Sequence, residues 1–127
     1  IADGYEQAGD YLLHTGTRLC KALFELPQPP SAIFVANDEM AFGAIHELRR
    51  LGRDVPGDVS VVGFDDLYLS EAFFPPLTTV AQPRAEIGKR AMGLLLDMFA
   101  GGTAPYEPLV LPTTLKIRGT TAPPKHH

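Results

Sequence analysis

Ala32-Ile33-Phe34-Val35-Ala36, followed at once by Asn37-Asp38, decides the fold. Five apolar residues in a row, some β-branched or aromatic, do not alternate with polar ones. An uninterrupted run suits a strand covered on both faces, as in a parallel sheet. Asp38 is well placed to cap a helix. Ala41, Ala44, Ile45 and Leu48 then recur at helical spacing, and Gly52 stands where a left-handed cap fits. The same succession returns downstream. Pro56-Gly57-Asp58 makes a turn, Val59 to Phe64 forms a second buried strand ending in Asp65-Asp66, and Thr78 to Ala81 forms a third with Gln82 at its end. Pro83 opens a long helix whose Ile87, Ala91, Leu94, Leu95 and Met98 share a face, and Gly101-Gly102 closes it. Upstream, a helix is predicted from Gly16, with Arg18, Lys21 and Glu25 on its polar stripe, and Pro27 to Pro30 end it. Ile1 to Tyr11 reads as loop with a short strand at most. Leu109–Leu111 and Leu115–Arg118 read as a final strand pair. Strands alternating with helices predict an α/β fold: three layers around a mostly parallel sheet.

Composition narrows the function. The 127 residues are the size of one domain, and 45% apolar with 20% charged is ordinary globular material. Eleven Lys and Arg against fifteen Asp and Glu leave a net charge of −4, which argues against a nucleic-acid surface on this segment. Cys20 is alone, so no internal disulfide can form. No apolar run approaches the roughly 20 residues that cross a bilayer, and no signal peptide is legible. The chain starts at Ile1 rather than methionine, which suggests a fragment. Residues 122–127 read as a tail, with His126 and His127 read as the stub of a purification tag in preference to a natural end.

In an open parallel sheet, ligands bind beyond the carboxyl ends of the strands. Three polar residues stand there: Asn37, Asp65 and Gln82. Amides donate and accept, and a carboxylate accepts twice, so together they suit adjacent hydroxyls of a sugar or the edge of a base. Each equally suits capping the segment behind it. Asp65-Asp66, with Asp38, also has the makings of a magnesium site in an enzyme or receiver domain. Hard cations want more oxygens than this, and no lysine with a partner role follows a later strand. His14, His46, His126 and His127 make no metal-ligand spacing with one another or with Cys20, and Cys20 reads as core. No nucleophile-base-acid order, phosphate loop or zinc motif is present, so no catalytic residue and no cofactor is expected. Phe42, Phe73 and Phe74 suit either core filling or an association surface.

Four ordered motifs carry a resemblance. Ala-Ile-Phe-Val-Ala-Asn-Asp-Glu-Met-Ala-Phe-Gly-Ala (32–44), Val-Pro-Gly-Asp-Val-Ser-Val-Val-Gly-Phe-Asp-Asp (55–66), Pro-Pro-Leu-Thr-Thr-Val (75–80) and Leu-Pro-Thr-Thr-Leu-Lys-Ile-Arg-Gly-Thr-Thr (111–121) resemble the effector-binding core of the lactose-repressor family of bacterial transcription regulators. The match runs from about Gly9 to Thr121. It implies a periplasmic-binding-protein-like type I module whose two lobes close on a small molecule, residues 1–121 being most of the second lobe. It implies Tyr11 as an aromatic wall stacking on the ligand, with Asn37, Asp65 and Gln82 as polar contacts to a sugar or nucleobase-like effector. It implies a homodimer formed through the helix bearing Phe42 and Ile45 and the loop bearing Phe73 and Phe74. Operator DNA would be read by a separate N-terminal domain in a cytoplasmic protein, with no membrane partner. Periplasmic sugar-binding proteins of transport systems share the fold and are the alternative. The family's second lobe begins with a strand and helix upstream of Ile1. Without that strand, the apolar flanks of the sheet are expected to lie open, and the chain to be poorly stable or to pair with a partner.

Overall fold

The computed structural model describes residues 3–103 and 107–124; His126 and His127, read above as a tag stub, lie outside them. In chain order the elements are α1 (Leu13–Phe24), β1 (Ala32–Phe34), α2 (Asp38–Arg50), β2 (Ser60–Asp65), α3 (Tyr68–Ala72), β3 (Thr78–Ala81), α4 (Arg84–Phe99) and β4 (Thr114–Lys116). The sheet order is β1-β2-β3-β4. β1 and β2 are parallel, pairing Ala32 with Ser60 and Phe34 with Val62, and β2 and β3 are parallel from Val62–Thr78 to Asp65–Ala81. The α/β class and the mostly parallel sheet agree with the sequence.

The apolar runs build the core. Ile45 and Leu48 of α2 are fully buried, and they share one cluster with Val55, Val59, Val61 and Leu77. Along β2 the residues alternate, Val61 and Gly63 buried and Val62 and Phe64 half-buried. α1 lies against α2 through glycines. A Cβ on Gly16 would stand 2.1 Å from the Met40 carbonyl oxygen, and one on Gly43 would stand 2.0 Å from that of Leu13. Thr17 Oγ1 donates to the Gly43 carbonyl at 3.2 Å across the same crossing.

The closing segment laces the strands together. Thr120, fully buried, donates through Oγ1 to the Val61 carbonyl at 2.7 Å and accepts from the Thr78 amide at 2.8 Å. The Thr120 carbonyl accepts from the Val61 amide at 2.8 Å. Arg118 donates to the Leu77 carbonyl and pairs with Asp66 at 2.7 Å. Arg-Gly-Thr-Thr therefore supplies the ladder partners that β2 and β3 do not give each other at their amino ends.

The chain falls into two compact units, residues 1–81 with 115–127 and residues 82–114. The second unit holds α4, and none of its helical residues is buried; Phe99 is 84% exposed. Three local differences from the sequence reading have physical causes. α1 begins at Leu13, three residues before the predicted start, because the Asp10 carboxylate accepts from the Leu12 amide at 3.1 Å and starts the turn early. The short α3 follows β2 unannounced, being too brief for periodicity to register. Leu109–Leu111 is not a strand; only Thr114–Lys116 is.

Candidate functional site

The parallel register puts the ends of β1 and β2 on one rim. Phe34 and Val62 are register partners, and Asn37 lies three residues beyond the first as Asp65 lies three beyond the second. Asn37, rather than Asp38, is the cap of α2: its Oδ1 accepts from the Met40 amide at 3.0 Å. The expectation for Asp38 as cap is thus corrected by one residue. The other half of the Asn37 amide is used too, Nδ2 donating to the Tyr11 carbonyl at 2.9 Å. One side chain therefore both caps α2 and ties the Tyr11 backbone to the end of β1.

Tyr11 is held from both sides. The Asp10 carboxyl sits below its ordinary value because the Thr15 hydroxyl, then the Leu12 amide, donate to it. Between these anchors Tyr11 takes φ 68°, a left-handed conformation uncommon for a bulky side chain, and its ring stays 62% exposed. Asp65 has φ 118° and Asp66 φ 55°. Two of the four expected ligand residues thus sit in strained backbone, the kind of conformation that persists where surrounding structure over-determines it. Gln82 follows β3 directly and begins the second unit; the Arg84 amide donates to its carbonyl at 2.8 Å.

The acidic pair is divided. Asp66 bonds Arg118 and anchors the closing segment, while Asp38 is fully buried with hydroxyl and amide partners. Among the described residues no group of His, Cys, Asp and Glu is arranged to hold a metal ion. Cys20 is 2% exposed, and burial, then the nearby Glu47 charge, push its thiol up to about 12. His46 is exposed on α2.

The aromatic residues separate as well. Phe42 and Ile45, expected at an association surface, are 5% and 0% exposed in the folded chain, so both fill the core. Phe42 meets Phe73 with tilted rings whose centroids are 4.7 Å apart. Phe73 is half-buried. Phe74 is 80% exposed, its ring 5.9 Å from the Arg49 guanidinium, which also donates to its carbonyl. A cavity of about 540 Å³ opens beside β1, walled by Leu19, Leu23, Ile33, Val35 and Met40, with Tyr11 at its edge. Neither Asn37 nor Asp65 lines it. Asp38, read from the sequence as a cap or part of a magnesium site, is instead a fully buried carboxylate with two hydroxyls at hydrogen-bond distance, a role that local pattern does not reveal.

Comparison with known proteins identifies the domain. Residues 2–121 match the model of the periplasmic binding protein-like domain. The HTH-type transcriptional repressor CytR of Escherichia coli K12 is 44% identical over 92% of this chain and 34% of its own length. A LacI family transcriptional regulator from Enterococcus faecium, solved with bound ribose, superimposes with a TM-score of 0.82 at 33% identity, covering 91% of this chain and 42% of that one. The dimeric Lac repressor lacking 11 C-terminal residues gives 0.85 at 35% identity, covering 92% and 43%. The chain spans about a third of the length of the curated relatives it matches. On the strength of that match across nearly its whole length, the chain belongs to the periplasmic binding protein-like domain family, in the form carried by lactose-repressor-type regulators.

Proposed function

We propose that the chain is the second-lobe part of an effector-sensing module in a cytoplasmic, homodimeric transcription regulator, and that its effector is a sugar or sugar-containing molecule. Tyr11 offers an exposed ring on which the C–H face of a sugar packs, and the rim beside it holds an amide and a carboxylate for hydroxyls. What supports this reading is the bond from Asn37 to the Tyr11 carbonyl, which joins the aromatic wall to the amide of the rim. Nothing in this reading is catalytic: effector binding shifts a population of lobe and dimer geometries, and operator DNA is read by a separate domain. The ribose bound to the Enterococcus relative and the repressor names of the curated relatives support this over a transport protein of the same fold.

The dimer would meet through the exposed Phe74 and neighbouring α3 surface, with Phe42, Ile45 and Phe73 supporting it from beneath. The test is Asp65→Ala in the full-length protein. Loss of a charged hydrogen-bond acceptor should weaken binding of D-ribose or a related sugar by about tenfold or more, with operator affinity retained. Calorimetric titration and a gel-shift assay read the two sides. Unchanged sugar affinity would remove Asp65 from the site.

A further inference from the structure

Asp38 is a buried carboxylate that the effector reading leaves without a role. Its Oδ2 accepts from the Ser70 hydroxyl at 2.5 Å and from the Leu67 amide at 2.8 Å, and its Oδ1 accepts from the Thr79 hydroxyl at 2.5 Å. Asp38, Ser70 and Thr79 are each fully buried. The 2.5 Å separations are those of hydroxyl donors to a carboxylate, the stronger class of hydrogen bond. The room for it is built in: a Cβ on Gly63 would stand 2.3 Å from Oδ1. No cation shares the cluster among the described residues, and Asp38 lies in the first turn of α2, where the helix end favours negative charge.

The partners matter more than the strength. Asp38 adjoins Asn37, which caps α2 and holds Tyr11. Leu67 lies two residues beyond Asp65, Ser70 is in α3, and α3 leads directly into Phe73 and Phe74. The Ser70 carbonyl also accepts from the amide of Leu77, the residue just before β3, at 2.7 Å. One carboxylate therefore fastens together the helix start that carries the rim, the segment leaving Asp65, and the helix that carries the exposed aromatic loop. To find another acceptor in place of Asp38, these buried hydroxyls would have to move together with their segments. We infer that Asp38 is a positioning residue that transmits effector occupancy at Asn37 and Asp65 to α3 and the Phe73–Phe74 loop. This rests on the effector site proposed above.

The test uses the full-length protein with Tyr68→Cys carrying a trifluoromethyl tag, since Tyr68 is 89% exposed on α3. Sugars from a panel of pentoses, hexoses and ribonucleosides, beginning with D-ribose, are titrated, with calorimetry reading affinity and ¹⁹F resonance reading α3. Ser70→Ala should keep affinity within about twofold of the parent while the sugar-induced ¹⁹F shift falls at least about fivefold, the scale of a modest coupling energy. Asp38→Asn keeps the shape but turns one acceptor into a donor, and should lose the shift as well. Thr79→Val should weaken sugar binding and Thr79→Ser restore it, which a merely space-filling role would not produce. An α3 response that survives in both Ser70→Ala and Asp38→Asn, with binding still sensitive to Asp65→Ala, overturns the inference alone. Failure of every sugar to bind, or binding indifferent to Asp65→Ala, overturns the site reading and the inference with it.

Discussion

Thr120 shows how much one side chain can carry. Its hydroxyl answers the Thr78 amide and the Val61 carbonyl at once, both within the buried sheet. Thr120→Val keeps the shape and strands both groups, so we expect a loss of about 2–3 kcal/mol, read as a lower urea midpoint at unchanged slope. Cys20 makes the opposite case, a reactive type rendered inert. With its thiol raised from 9.0 to about 12, the thiolate fraction near pH 8 should fall by roughly a thousandfold relative to an unperturbed cysteine. Labelling by a thiol reagent should therefore be negligible in the folded protein and prompt in urea; fast labelling without denaturant would contradict this. The motif Asn-Asp was visible in the sequence, but its division of labour was not. Capping propensity is similar for Asn and Asp, and only the path of the backbone decides which oxygen meets the helix amides.

At the scale of elements, the crossing of α1 on α2 depends on the absence of side chains. Gly43→Ala would drive a methyl into the Leu13 carbonyl, a backbone atom that cannot rotate away. Overpacking of this kind costs about 1–3 kcal/mol and should appear as a lower thermal midpoint, whereas alanine at Gly52, whose surroundings are open but whose φ is 70°, should cost less. The strands and long helices were legible because unbroken apolar runs and 3.6-residue spacing both report burial. α3 was not, because five residues make barely more than one turn. Phe42 and Ile45 were expected at a dimer surface because the family resemblance implied it; the helical period had grouped Ile45 with Ala41, Ala44 and Leu48, but a period tells which residues share a face, and not whether that face meets the same chain or another.

The whole molecule leaves much apolar surface uncovered. Phe34 on the edge strand β1 is 64% exposed, Phe74 80%, and the cavity beside β1 is apolar. Unpaired edges and patches of this size favour association. A chain of just these residues should therefore self-associate at micromolar concentration, as measured by sedimentation velocity; a compact, stable monomer would contradict the expectation. What the sequence determined by itself was the alternation of buried strand and amphipathic helix, and with it the end of the sheet where polar residues gather, since both follow from local periodicity and from the chirality of crossovers. What only the tertiary structure decided was which of those polar groups hold one another. Asn37 with Tyr11, Asp66 with Arg118, and Asp38 with Ser70 and Thr79 are pairs 26 to 52 residues apart, and hydrogen bonds at that separation leave no mark on local pattern.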